Sequence, residues 1–104
     1  MSTPDVAEAL EPFGDAELIP LPELRRSLGV TRAAVERAKA RGLVTVAPVR
    51  GRDGRDQVTR SEAERLVVAV TVAAAAGVAF VVALQIVKGN PWIAQAAIRA
   101  LLAT

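Results

Sequence analysis

The sequence predicts a mainly α chain carrying one small β-hairpin, and three observations lead to that prediction. Two runs with apolar residues at helical spacing follow one another between Leu21 and Gly42, each ended by a glycine. An Asp53-Gly54 pair stands between two short β-rich runs, the strongest short signal for a hairpin turn. Two S/T-x-x-E boxes, Thr59/Glu62 and Ser61/Glu64, then open a helix that leads into an uncharged stretch from Leu66 to Val87. At 104 residues there is room for one domain or little more, and a hydrophobic content of 52% requires a substantial buried core.

Residues 1 to 17 mix Pro, Ser, Thr and acids without sustained periodicity, which predicts a flexible acidic arm. Within it a short helix at Ala7 to Leu10 would be stopped by Pro12 and Gly14. The N-terminus has neither a basic segment nor an apolar one, so no signal peptide is expected. Ordered structure is expected from Ile19-Pro20-Leu21-Pro22, with Pro22 in the first turn of a helix over Glu23 to Leu28 that faces inward through Leu21, Leu24 and Leu28. Gly29 ends it, Val30 returns to the core, and Thr31 caps a second helix from Arg32 to Arg41. That helix would bury Ala34, Val35 and Ala38 and expose Arg32, Glu36, Arg37, Lys39 and Arg41.

The pair has the spacing of a helix-turn-helix. Leu43-Val44-Thr45-Val46 and Gln57-Val58-Thr59 read as the two strands of the hairpin, whose turn carries Arg50, Arg52 and Arg55: a basic wing. The uncharged stretch from Leu66 leaves two readings open. As one helix it would be about 33 Å long, enough for a hydrocarbon core of about 30 Å. Divided at Gly77 it makes two buried helices, 61–76 and 78–88. A helix apolar on every side must be covered on every side, so this second reading calls for a homo-oligomer through residues 66–104. After the break at Lys88-Gly89-Asn90-Pro91, a last helix from Trp92 to Ala103 is expected to dock or to dimerise.

Charge is segregated along the chain. Residues 1 to 17 hold Asp5, Glu8, Glu11, Asp15 and Glu17 and no base; residues 18 to 65 hold all the Lys and Arg except Lys88 and Arg99. The basic segment is where a polyanion would bind. With no Cys and no His, the chain has no disulfide, no Cys/His metal site, no thiol nucleophile and no imidazole base. Glu62 and Glu64 lie at i and i+2, pointing to different sides of a helix, and Gly51 and Gly54 lack the spacing of a phosphate loop. No catalytic residue, cofactor or metal is therefore expected, and the chain reads as a non-enzyme. The near absence of aromatics, 3%, argues against base stacking and so against single-stranded nucleic acid.

For duplex DNA, the candidate contacts are Arg25 and Arg26 on the first helix, Thr31, Arg32, Arg37, Lys39 and Arg41 on the second, and Arg50, Arg52 and Arg55 on the wing. Glu36 reads as an intrahelical partner of Lys39 or Arg32 rather than a reader of cytosine.

The run LPELRRSLGVTRAAVERAKARGLV resembles the winged helix-turn-helix of the MerR-like family, whose pattern is a short helix, Gly-Val-Ser/Thr, a recognition helix and Gly-Leu-Leu. Gln57 to Leu66 stands where that family passes from its wing into its third helix, and Gly77-Val78 where the third helix turns into the fourth. The similarity covers about residues 19 to 88, and excisionases and small phage or actinobacterial regulators share the core. It implies a winged fold and a sequence-specific DNA-binding regulator, a repressor or a recombination factor, in the cytoplasm. Glu36-Arg37-Ala38 stands where the family has Arg-Tyr-Tyr, so the resemblance implies a recognition helix but carries over no base contacts. The competing expectations are a single-pass anchor in the inner membrane with the basic region on the cytoplasmic side, which the charge asymmetry would orient, and an adaptor that holds a partner protein on its apolar helices.

Overall fold

The computed structural model of the chain describes residues 6–49, 51 and 54–90. Helix α1 (Val6–Leu10) tightens into a 3-10 turn over Glu11–Phe13, as Pro12 forces it to. Ala9 and Leu10 are buried and Phe13 packs against the same core. The stretch that reads as a flexible arm is thus attached along Ala9 to Glu17. Arg60 holds it further, its Nε donating to the Ala16 carbonyl at 3.1 Å, its Nη2 to the Gly14 carbonyl and its backbone N–H to the Glu17 carbonyl at 2.9 Å. Three apolar residues and three carbonyls were sufficient to fix a segment whose composition suggested none of this.

The sheet differs from the expected hairpin. Strand β1 (Leu18–Pro20) pairs antiparallel with β2 (Gln57–Thr59), in the register Leu18 to Thr59, Ile19 to Val58 and Pro20 to Gln57. Leu43 to Val46, expected to be the partner of β2, form no strand. Their β-rich composition serves burial instead: Val44 is buried, and Leu43 and Val46 pack on the core. The chain still reverses between them and β2, with the Ala47 N–H donating to the Gln57 carbonyl at 2.7 Å and the Gly51 N–H to the Arg55 carbonyl at 3.0 Å. Pro20, which has no N–H to give, is tolerated because a two-stranded sheet is all edge. Ile19 and Val58 face each other, both fully buried, and seat the sheet on the core.

Helix α2 (Leu21–Leu28) buries Leu21 and Leu24 and ends at Gly29, whose φ of 71° lets the Val30 N–H reach back to the Arg25 carbonyl at 3.1 Å. Helix α3 (Arg32–Ala40) starts at Thr31, whose hydroxyl accepts from the Ala34 N–H at 3.2 Å, and buries only Val35 and Ala38. The two helices and their turn therefore fall where the glycines and the cap predict.

Helix α4 (Arg60–Ala76) is capped by Thr59, which accepts from the Glu62 N–H at 3.3 Å, the threonine half of the Thr59/Glu62 box, while the Glu62 carboxylate faces Lys88 and Arg65 instead. It ends at Gly77, and α5 (Phe80–Gly89) leaves at a bend of 116°. The continuous 33 Å helix is thus absent. Among the described residues no single helix is long and apolar enough to cross a membrane, and by length and composition only this bent pair passes. Leu66, Val67, Val68 and Ala69 span a full turn and are all buried, between α1, α2, β1 and α5. For these four residues the cover is supplied within one chain, while Ala74, Ala75, Ala76 and Val82 of the same uncharged stretch are exposed.

Buried side chains from the acidic, basic and apolar zones form one cluster. At its edge Glu62, 4% exposed, faces Lys88 Nζ at 3.3 Å and Arg65 Nη1 at 3.5 Å, which ties the last turn of α5 to the first of α4. The Lys88 contact is an ion pair without hydrogen-bond geometry, since Glu62 Oε1 accepts no hydrogen bond. The expected helix from Trp92 to Ala103 lies outside the described residues.

Candidate nucleic-acid interface

Every candidate cation on α2 and α3 lies at or near the surface, and the structure divides them into two sets by what they touch. Four basic side chains are engaged. Arg25 Nη1 donates to the Val30 carbonyl at 3.0 Å, fastening the turn between α2 and α3. Lys39 Nζ donates to Asp56 Oδ2 at 2.7 Å and lies 3.7 Å from Glu36 Oε1. Arg55 Nη1 donates to Glu23 Oε1 at 3.2 Å. Arg60 holds the N-terminal carbonyls already described. The other set is Arg26, Arg32, Arg37 and Arg41, all exposed, and these make no ion pair or hydrogen bond among the described residues.

The engaged cations fix the shape of the surface on which the others stand. Asp56 follows the turn closed by the Gly51 N–H and the Arg55 carbonyl: its own carbonyl accepts from the Leu21 N–H at 2.9 Å, so the same residue is bonded to α2 through its backbone and to α3 through its carboxylate. The hydrogen bond from Asp56 is the main reason the Lys39 ammonium titrates above its ordinary value of 10.5; partial burial opposes it, and the charges of Asp56 and Glu36 add to it. Lys39, a candidate contact by sequence, is thus a brace between α3 and the residue that precedes β2. Thr31 likewise accepts the cap hydrogen bond on its hydroxyl oxygen, and its O–H remains able to donate outward.

Between the start of α2, the start of α3 and the turn at Gly54 to Asp56 lies an open depression of about 410 Å³. Arg25, Arg26, Arg32 and Arg55 line it, with Glu36 and Asp56 as the only acids on its wall among the described residues. Two helix N-termini open at the same place, at Leu21-Pro22 and at Arg32, and the positive ends of their dipoles add to the field. The sequence named the arginines, but the depression itself was invisible, because Arg55 comes from a loop about thirty residues away along the chain from Arg25. Arg37 and Arg41 stand on the far side of α3, outside the depression. Arg50 and Arg52 lie outside the described residues.

Sequence reasoning missed Glu23 and Asp56, which hold Arg55 and Lys39 and so fix the turn at Gly54 to Asp56. An acid near a basic loop was the available signal, and it does not say which base it meets. Ala33 and Ala40 are exposed on α3, at i and i+7 with Glu36 and Arg37 between them at i+3 and i+4. Glu62 and Glu64 separate as their spacing predicts, the first buried and the second half-exposed. No protein-family model, no curated protein and no solved structure matches this chain.

Proposed function

We propose that this chain is a cytoplasmic, non-enzymatic, sequence-specific regulator that binds double-stranded DNA through a MerR-like winged helix-turn-helix, as a repressor or an excisionase-like factor of a phage or mobile element. One observation carries the reading. Of four arginines without intramolecular partners among the described residues, Arg26 and Arg32 line the depression beside a turn that two ion pairs hold in place, and Arg37 and Arg41 continue around the exposed side of α3. A solvated surface gains nothing from such an arrangement, whereas a phosphate backbone meets it with charge-assisted hydrogen bonds. Helix α3, nine residues long, fits the major groove, and the wing would reach the flanking phosphates or the minor groove. Homo-oligomerisation through residues 66–104 would give the two-fold binding of a paired operator site.

Titration of duplex DNA against salt tests this reading. With about six phosphate contacts, the logarithm of affinity falls against the logarithm of salt concentration with a slope of about −5. No affinity for any duplex at low salt would refute it. The membrane-anchor alternative keeps only the bent α4–α5 pair in its favour, and extraction of the protein from cells by alkaline carbonate without detergent would remove it.

A further inference from the structure

The far end of α4 stands out from the body of the molecule. Ala74, Ala75, Ala76 and Gly77 are all exposed, a full turn and so every side of the helix, and a Cβ at Gly77 would meet nothing within 4 Å. One turn earlier the same helix helps to form an apolar groove of about 270 Å³. Val70, Ala73 and Phe80 line it together with Leu28, Val30 and Ala34 from α2, α3 and the turn between them. Thr31 is the one polar side chain in that lining among the described residues, and its oxygen already accepts the Ala34 N–H. No charge lies anywhere between Leu66 and Val87.

A second copy of this chain fits the groove better than a charged partner does. A charge brought into it would meet no counter-charge and would lose its hydration. Two copies of a charged face, such as the arginine side of α2 and α3, repel each other, whereas this face is neutral in both copies. Groove wall and exposed end are also consecutive turns of one helix. Two α4 ends placed antiparallel about a two-fold axis therefore fill both grooves in a single contact, and side chains no larger than the methyls of Ala74, Ala75 and Ala76 let the helices approach closely. Size sets the strength of the contact. Groove and exposed end supply about a dozen residues, against roughly 20–30 a side in a stable interface, which makes the association weak and reversible.

Resting on the homo-oligomeric part of the proposed function, we infer that the chain forms a two-fold dimer in which the α4 end of each copy occupies the groove of the other. Val30 and Thr31, which line the groove, directly precede α3. The contact therefore fixes the two α3 helices relative to each other through α4 and the α2–α3 turn, and residues 91–104 are not required for it.

Sedimentation equilibrium without DNA, over about two decades of concentration, tests the inference on the full chain and on Ala74→Arg, Gln85→Arg and Leu101→Arg, with thermal melting as a control on folding. The parent should show a reversible monomer–dimer equilibrium. Ala74 is exposed, and a cation in the last turn suits the helix dipole, so Ala74→Arg should melt like the parent while dimerising at least about tenfold more weakly. Gln85, exposed on α5 and outside the groove lining, and Leu101 should each accept arginine with dimerisation unchanged. Dimerisation of Ala74→Arg as tight as the parent's, or equal weakening by Gln85→Arg or Leu101→Arg, overturns the inference. An effect of Leu101→Arg alone does so while leaving the homo-oligomeric reading standing on residues 91–104. A parent that is monomeric at every concentration overturns that reading and the inference together, and duplex affinity is decided separately by the salt titration.

Discussion

Helices α3 and α4 begin in the same way and end as opposites. Each is capped by a threonine whose hydroxyl accepts from the N–H three residues on, Thr31 from Ala34 and Thr59 from Glu62. After that first turn α3 buries two residues, while α4 buries Glu62, Ala63 and the ring from Leu66 to Ala69. Equal capping chemistry therefore says only where a helix starts. Whether it becomes a surface that displays charge or an axis around which the chain packs depends on what its other faces hold. The comparison implies a division of labour: substitutions in α4 should act on stability, and those on the outer face of α3 on binding alone.

The largest effect separating the two helices should come from Val67→Asp. An unpaired carboxylate at a fully buried position costs several kcal/mol, comparable with the whole stability of a domain of this size. Loss of the cooperative unfolding transition in circular dichroism is expected, and a variant that unfolds like the parent would break the comparison. Lys88→Met comes next. It leaves the buried Glu62 with Arg65 alone and should lower the free energy of unfolding by about 3 kcal/mol in urea titrations, whereas replacing Arg65, which is half-exposed, should cost far less.

Gly77→Ala isolates the bend between α4 and α5. A Cβ at Gly77 would meet nothing within 4 Å, so its φ of 68° is the whole penalty, about 1–2 kcal/mol by the same measurement. Lys39 sharpens the comparison from the side of α3. Its folded-state pKa is raised, so its contribution is fully present below the ordinary value of 10.5 and is lost as pH rises through the higher folded value. Thermal melting of the parent should therefore decline above about pH 10.5 more steeply than that of Lys39→Met, and identical profiles would mean that the brace to Asp56 contributes nothing. The smallest effect on folding is expected for Arg32→Ala and Arg41→Ala, within about 0.5 kcal/mol of the parent, while each lowers the salt slope of DNA binding by about 1.

Local signals predicted local structure well here. Pro22, Gly29, Thr31, Thr59 and Gly77 mark the ends of α2, α3 and α4 to within a residue or two, because capping and left-handed turns depend on a few neighbouring atoms. The candidate site was legible as a list of arginines and no further. Which of them are engaged depends on acids that the sequence keeps far away: Glu23 meets Arg55 and Asp56 meets Lys39, and no spacing rule connects these pairs. Leu43 to Val46 misled for a related reason, since β-branched residues suit a strand and a core position equally.

By itself, then, the sequence determined where helices begin and end, that the chain is mainly helical, and that all its charged residues except Lys88 and Arg99 lie before Leu66. Only the tertiary structure decided that the acidic N-terminal segment joins the core, that β2 takes Leu18–Pro20 as its partner, and that Leu66 to Ala69 are covered on all sides within one chain. The physical reason is range. Caps and turns close over three to five residues, whereas strand pairing, burial and ion pairs between distant residues are chosen by competition among all the surfaces the chain can bring together.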